Sequence, residues 1–453
     1  MHSRARAAVG PVYLLLCLIL GGSVQGIWSN LLLQLIGIGL IGWAAAERSA
    51  EPMGGSSKKL LIIAIAGVVV VALQLVPLPP GVWASLGPRQ AIAANYRLLG
   101  LPLPWLPISL TPSQSLDTLL RLIPALAMVC VMLRLKAYRP SWMAAALLAG
   151  ALAGVLLGAL QVASSAGGSS RWYPYEETNV GFATGFFANA NHMAILLAIT
   201  LPFLAASVAE ARAQSKQRYY GIVLASCGVA LVIIVGIILN RSLAAYGLGI
   251  PIAVASIALL LPSKSRLRPW LASGGALLLV GGVAMLATSS IGARQLGAAT
   301  SVQSREEILV TTAKAVGAFF PWGSGLGSFP KVYNLYEDHQ SVTNIVVVHV
   351  HDDYVELALE TGAAGIVLML VFLAWWLTAV LGLLRSAEPR RFARAAAIAS
   401  AAVLLHSLVD FPLRTAAVST CFAMCLCLLS GRPRPPRATF ADLRASRHVR
   451  IGD

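Results

Sequence analysis

A series of long apolar runs constrains this chain more than any other feature of its sequence. A helix rises 1.5 Å per residue, so an uncharged run of about 20 residues can cross the hydrocarbon layer of a membrane. About twelve runs approach that length. They lie at residues 10–24, 27–45, 60–77, 117–134, 142–163, 192–208, 220–239, 242–262, 270–289, 363–384, 395–409 and 412–430. We therefore predict an all-α, polytopic membrane protein.

The composition supports this prediction. Of the 453 residues, 57% are hydrophobic and 11% are charged, whereas roughly 25% are charged in an ordinary soluble domain. The first apolar run follows Arg4 and Arg6 as in a secretory signal. However, a second run begins almost at once and no clear small-x-small cleavage site is present. We interpret the first run as a retained membrane helix.

The basic residues predict the orientation of the chain. Cytoplasmic connections of membrane proteins carry an excess of Lys and Arg. If the amino terminus is cytoplasmic, most of the 34 Lys and Arg residues fall in alternate connections and in the tail after residue 430. We therefore expect both termini in the cytoplasm, and we interpret the net charge of +16 mainly as a topology signal that also suits anionic lipid.

The sequence supports neither nucleic-acid binding nor a site built from cysteines. No nucleic-acid-binding motif accompanies the positive charge. All six cysteines lie inside predicted spans, where neither a disulfide nor a zinc site is expected.

This topology divides the chain into four parts. Residues 1–289 hold membrane helices 1–9, residues 290–362 form a long extracytoplasmic loop, residues 363–430 hold helices 10–12, and residues 431–453 form a basic cytoplasmic tail. A loop of this length is usually functional or disordered. Because this one is rich in aromatic residues and valine, we expect it to fold over the membrane and to carry the catalytic groups.

The loop contains a glycine-rich stretch, "PWGSGLGSF", at residues 321–329. It lacks the preceding strand and the following lysine of a nucleotide-binding loop. We therefore predict a tight turn.

The stretch "HVHDDYVELALETG" at residues 349–362 concentrates titratable groups beside apolar sequence. It predicts a short helix with a capping signature from Asp353 to Glu356 and a stop at Gly362. A metal site, a solvated helix end and an acid/base site all fit this pattern. We favour His351 as a general base, oriented by Asp352 or Asp353, because an ordinary imidazole exchanges protons near neutral pH.

These residues resemble the O-antigen ligase and polymerase superfamily, which are membrane glycosyltransferases of the bacterial envelope. "HDDYVELALETG" is similar to the family's histidine stretch, and four further stretches are similar to other family regions. They are "GFFANANHMA" (185–194), "NRSLAAYG" (240–247), "SREEIL" with the following glycine turn (304–329), and "HSLVDFPLR" (406–414). The resemblance covers roughly residues 75–430.

The resemblance implies a GT-C-like enzyme of the inner membrane that takes part in lipopolysaccharide biosynthesis. Such an enzyme moves a glycan from undecaprenyl pyrophosphate to an acceptor hydroxyl on the periplasmic face, without a metal, nucleotide or other cofactor. The acceptor is lipid A-core in a ligase and another lipid-linked glycan in a polymerase. Carried onto this chain, His351 is the base, while Arg241 and Arg305 bind the pyrophosphate.

Arginine suits this role because its guanidinium is planar, permanently charged and able to bind phosphate oxygens in pairs. Arg414, at another span boundary, is a secondary candidate. Other interpretations stay open: Arg241 can reach lipid headgroups as an interfacial residue, and Arg305 can pair with Glu306 or Glu307.

Four further residues are candidates for sugar binding. Asn189, Asn191 and His192 open the sixth predicted span, where they can bind sugar hydroxyls or cap the helix. Tyr354 can line the glycan groove. A lipid-linked glycan transporter remains the competing class, but the candidate groups gather at loops and span ends rather than at the middle of the membrane.

Overall fold

The computed structural model describes most of the chain. The described residues are 2–24, 27–48, 52–165, 170–176, 178–214, 216–261, 265–288, 299–338, 347–386 and 388–431. Within these ranges the chain is almost entirely helical, and extended pairing is limited to one isolated bridge between Leu78 and Leu106. The prediction of an all-α fold is confirmed.

The first half of the chain forms eight helices, two of which lie in the connection after the third predicted span. They are α1 (His2–Leu20), α2 (Trp28–Ala46), α3 (Gly55–Gln74), α4 (Pro80–Trp83), α5 (Arg89–Leu98), α6 (Pro112–Arg121), α7 (Ile123–Leu133) and α8 (Pro140–Ser164).

The described residues of the second half form nine helices and a short 3-10 turn at Pro412–Arg414. The helices are α9 (Ala190–Gln214), α10 (Lys216–Asn240), α11 (Leu243–Leu260), α12 (Leu267–Thr288), α13 (Ala299–Phe319), α14 (Phe329–Tyr336), α15 (Asp353–Arg385), α16 (Arg391–His406) and α17 (Ala416–Ser430).

Each predicted span overlaps one of these helices, except the span at 117–134, which is divided between α6 and α7. In the described part of the chain, seven segments are long and apolar enough to cross a membrane, namely Trp28–Ala46, Gly55–Gln74, Pro112–Leu133, Pro140–Ser164, Ala190–Ala213, Tyr219–Asn240 and Asp353–Arg385. Shorter apolar helices lie at Tyr246–Leu260, Pro269–Gly282 and Ala416–Ser430. The chain is therefore a polytopic helical membrane protein.

Helix α9 lies at the centre of the helical bundle. It packs against α8, α10, α11 and α16. Of its apolar 18-residue stretch, 78% is buried inside the protein. Because α9 is enclosed on several sides, its first turn at Ala190 lies among other helix ends rather than in solvent.

The segment from α13 to the start of α15 has a small apolar core of its own. This core is formed by buried side chains of α13, α14 and α15 and by Val350, which precedes α15. Its members are Ile308, Ala315, Phe319, Phe329, Val332, Tyr333, Val350 and Leu359. This core holds the residues around 349–360 in place.

Helix α15 begins one residue earlier than the capping signature predicts and continues past the expected stop. The cap is Asp352, whose carboxylate accepts hydrogen bonds from the amides of Tyr354 and Val355. Gly362 adopts a φ of 60° and kinks the helix, which then continues to Arg385. The predicted cap at Asp353 and stop at Gly362 are therefore wrong in detail: the apolar run that follows supports another stretch of helix.

Candidate active site

His351 lies at the amino-terminal mouth of α15 in an unusual backbone conformation. Its φ is 60°, a left-handed value that is uncommon outside glycine. The Nδ1 atom lies 3.4 Å from Oδ1 of Asp410, and 32% of the side chain is exposed. The imidazole is therefore held on one nitrogen by a carboxylate and remains open to an approaching molecule.

Asp410 lies in the connection between α16 and α17 and is buried. Its Oδ1 also accepts a hydrogen bond from the amide of Phe411, and its Oδ2 lies 3.6 Å from Nε2 of His406. Burial by itself raises the pKa of Asp410. The hydrogen bond to His351 and the electrostatic interactions with the nearby histidines outweigh burial and hold that pKa below its usual range. Asp410 therefore stays a carboxylate and can orient the His351 ring.

The carboxylate that contacts the His351 ring is that of Asp410, and the orienting role of Asp352 or Asp353 stays a prediction. Asp352 caps α15, and Asp353 accepts a hydrogen bond from the hydroxyl of Ser407. Both aspartates follow His351 directly in sequence, but the helix that begins there turns their carboxylates towards its own amides and towards neighbouring elements.

Arg414 faces a row of carboxylates on α15. Its guanidinium lies 3.3 Å from Asp353, 3.0 Å from Glu356 and 3.5 Å from Glu360. Three and four residues apart, these carboxylates share one face of the helix. Burial by itself lowers the pKa of Arg414, but the carboxylates raise it above its ordinary value. The cation thus ties the α16–α17 connection to α15, and a role in pyrophosphate binding remains a prediction.

Glu356 fixes the residues that lead to His351. It is 1% exposed. Its Oε1 lies 2.9 Å from Nδ1 of His349, and its Oε2 accepts a hydrogen bond from the amide of Val350. The His349 ring in turn packs on Phe411, with 4.2 Å between the ring centroids. His349 therefore anchors the segment before His351.

Glu360 organises the glycine-rich turn. Its carboxylate accepts hydrogen bonds from the amides of Gly327 and Phe329, and its carbonyl accepts from Gly325 and from the side chain of Gln74. Three glycines there adopt positive φ values, 76° at 323, 104° at 325 and 80° at 327. The predicted tight turn is confirmed, and the amides that a phosphate would need bind a carboxylate of the protein itself.

The first turn of α9 is where two of the stretches that resemble the ligase family, 185–194 and 240–247, contact each other. Oδ1 of Asn189 accepts a hydrogen bond from the amide of Asn191, a capping contact. The side-chain oxygen of Asn191 accepts one from the hydroxyl of Ser242, and the amide of Asn240 donates to the carbonyls of Ala183 and Ala190. These bonds hold the connection between α10 and α11 against the first turn of α9.

His192 links that turn to the catalytic candidate. It is 2% exposed, and its ring lies edge-on to Phe411 at a centroid distance of 5.3 Å. Neither ring nitrogen of His192 has a hydrogen-bond partner among the described residues. The ring of Phe411 also contacts His351, at 5.1 Å. The stretches 185–194, 349–362 and 406–414 therefore meet around Phe411, and the stretch 240–247 is hydrogen-bonded to the first of them.

The remaining candidates differ in their surroundings. Arg241 adopts a φ of 56° and has an exposed side chain, which makes no ion pair within the described part of the chain. The backbone of residue 305 lies in α13, but its side chain is outside the described residues. The hydroxyl of Tyr354 donates a 2.7 Å hydrogen bond to the carbonyl of Leu404, so it ties α15 to α16.

Comparison with known families supports this picture. The sequence model of the O-antigen ligase family matches residues 227–370, which include Arg241, α13 and His351. That segment is therefore similar to the O-antigen ligase family. No curated protein matches the chain significantly. The similarity points to a function of the ligase or polymerase kind.

The two histidines before α15 have separate carboxylate partners. His349 and His351 face different carboxylates, Glu356 and Asp410. Among the described residues, no group of three or more His, Cys, Asp or Glu side chains is placed to hold a metal ion.

The contact between Asp410 and His351 could not be predicted from local spacing. Spacing places Asp410 beside His406, four residues earlier, and the two side chains lie 3.6 Å apart. The stretch "HSLVDFPLR" was one of the segments that resemble the ligase family. That resemblance was the only signal for a functional Asp410, because local spacing links it to His406 alone.

Proposed function

We propose that this protein transfers a glycan from undecaprenyl pyrophosphate to an acceptor hydroxyl, with His351 as the general base. The observation that carries the proposal is the pair formed by the partly exposed His351 and the buried, ionised Asp410. The site lies on the periplasmic face of the inner membrane, and both termini are cytoplasmic.

The pair can move a proton in the required direction. With Nδ1–H directed to Asp410, Nε2 of His351 carries the lone pair that accepts the acceptor's hydroxyl proton. The carboxylate then stabilises the imidazolium that forms. The acceptor oxygen attacks the anomeric carbon directly, so the configuration at that carbon inverts.

The leaving group needs charge stabilisation rather than protonation. Arg241 is exposed, and the connection that carries it is held against α9 and so close to Phe411 and His351. We propose that Arg241 and Arg305 bind the pyrophosphate. Fixed donors of this kind contribute roughly a few kcal/mol each to a developing negative charge, so the reaction proceeds without a metal or cofactor.

Arg414 has a different part in the proposal. Three carboxylates already surround its guanidinium, and pyrophosphate would have to compete with them. We propose that Arg414 positions α15, and that direct contact with the donor is secondary. We propose that Asn189, Asn191, His192 and Tyr354 form the walls of the site, and that the side-chain amides of the two asparagines bind the sugar.

Lipid A-core is the proposed acceptor, because the matched family is described as O-antigen ligase. A polymerase that extends a lipid-linked glycan is the second candidate, since it uses the same donor chemistry. Deletion of the gene separates the two. Loss of capped lipid A-core with retained polymer indicates a ligase, whereas single repeat units left on the acceptor indicate a polymerase.

The base is tested with purified protein, a lipid-linked donor and a hydroxyl acceptor. His351→Gln should reduce turnover by roughly 100-fold or more, as expected for loss of a general base, while Lys314→Gln on the exposed face of α13 should behave as the wild type. Near-wild-type turnover in His351→Gln would remove the histidine from the mechanism.

The phosphate ligand is tested in the same assay. Arg241→Gln should weaken donor use, and Arg212→Gln, an exposed arginine at the other end of α9, is the matched control. Thorough chelation should leave turnover unchanged; a loss that a divalent ion restores would revive the metal interpretation.

A further inference from the structure

An apolar groove runs along the membrane helices next to Arg241. Helices α10 and α11 are joined by a short connection, yet α10 packs mainly against α9, α11 packs against α9 and α12, and the two barely contact each other. The space between them is a cavity of about 550 Å³. Its floor includes Leu204 and Val208 of α9, and its walls include Ile234 and Ile237 of α10 and Ile250 and Ile257 of α11.

The lining is suited to hydrocarbon. None of the residues that line the groove is Asp, Glu, Lys or Arg. The hydroxyl of Ser256 donates to the carbonyl of Ile252 within α11, so this lining residue does not need a polar ligand. Ile234 and Ile250 are 51% and 62% exposed, which shows that the groove opens sideways towards the surrounding lipid.

The groove extends through much of the membrane and ends beside a cation. Along α10 it reaches from Val223 to Ile238, about 22 Å at the helical rise per residue. Ile238 lies three residues before Arg241, and Tyr246 follows it by five. The exposed guanidinium is therefore close to one end of an otherwise uncharged groove.

We propose that this groove binds the isoprenoid chain of the lipid-linked donor, with the diphosphate at Arg241. The inference rests on the proposed function, because it takes the donor lipid from it. The charge argues for this occupant: a long hydrocarbon with a strongly anionic head complements an aliphatic groove that ends at one cation. A partner's membrane helix would fill the aliphatic part but would leave Arg241 without a counter-charge.

The first test fills the groove. Ala253→Trp places an indole in the lining, and Ala225→Trp places one at an exposed position of α10 that does not line the groove. With a donor that carries a long isoprenoid chain, Ala253→Trp should raise the KM by roughly tenfold. With a donor whose chain is only two isoprene units long, the KM should not change. Ala225→Trp should match the wild type with both donors. An unchanged KM of Ala253→Trp for the long-chain donor would overturn the proposal.

A second test does not require turnover. Full-length protein in vesicles of phosphatidylethanolamine and phosphatidylglycerol is labelled with a long-chain polyprenyl diphosphate that carries a photoreactive group on the chain. Labelling should map to residues 234–257 and should fall when unlabelled polyprenyl diphosphate is added. Labelling elsewhere, or equal competition by added phosphatidylglycerol, would overturn the groove assignment. If the groove is labelled but the wild type transfers glycan from neither donor, the proposed function fails while the lipid site stands.

Discussion

Nδ1 of His351 lies 3.4 Å from Oδ1 of Asp410, a residue 59 positions further along the chain. The contact joins the mouth of α15 to the connection between α16 and α17. It gives a partly exposed imidazole a buried carboxylate partner, which is the arrangement that general-base catalysis by histidine requires. Two predictions concern this pair.

Replacing the carboxylate should impair the base without blocking donor binding. We expect Asp410→Asn to lower kcat by roughly 100-fold, because the amide cannot stabilise an imidazolium or select the ring tautomer. The KM for the donor should stay within about threefold. Steady-state kinetics with the purified protein measure both constants, with the exposed Asp338→Asn as control. A kcat close to that of the wild type would show that Asp410 does not act on His351.

The same variant should change the pH dependence of the reaction. The pKa of Asp410 lies below its usual range, so the group is negatively charged at every pH of the assay. A nearby negative charge favours a protonated imidazole. Removal of this negative charge should therefore move the acidic limb of the pH–rate profile to lower pH. A fall in kcat with an unmoved limb would point to a purely structural effect.

The ion pairs of Arg414 should matter for folding. Arg414→Gln leaves three carboxylates near α15 without their cation, and removal of one partner from a buried ionic cluster costs roughly 3–5 kcal/mol of unfolding free energy. Arg391→Gln breaks a more exposed pair with Glu210 and should cost less than about 1 kcal/mol. Denaturant unfolding in detergent compares the two variants. Wild-type stability of Arg414→Gln together with a large loss of donor affinity would favour the pyrophosphate role instead.

The glycine turn should tolerate no side chain at residue 325. Gly325 has a φ of 104°, and a Cβ there would come within 2.4 Å of the Ser109 hydroxyl oxygen. We expect Gly325→Ala to destabilise the protein and to reduce activity, because the turn holds Glu360. Gly317→Ala is the control, since Gly317 is helical and a Cβ there meets no atom within 4 Å. That variant should be neutral or more stable by roughly 0.5–1 kcal/mol. Equal unfolding midpoints for the two variants would contradict this account of the turn.

The apolar runs alone determined the fold class of this protein. Membrane insertion depends on the length and polarity of each segment taken separately, so residues 10–24 or 220–239 could be assigned to helices without knowledge of their neighbours. The tight turn at 321–329 was predictable for a similar reason, because glycine at these spacings is a local backbone signal. The exposed His351 and Arg241 were identified through their sequence context and the family resemblance.

Only the tertiary structure decided which groups meet. Local spacing assigned Asp352 and Asp353 to His351, but a helix cap and an ion pair with Arg414 engage them instead. Asp410 reaches His351 because α15, α16 and the start of α17 pack so that two distant connections lie side by side. Periodic patterns report the faces of single helices. They carry no information about which helix ends are neighbours, and that arrangement is what brings His351 to Asp410 and the Arg241 turn to the start of α9.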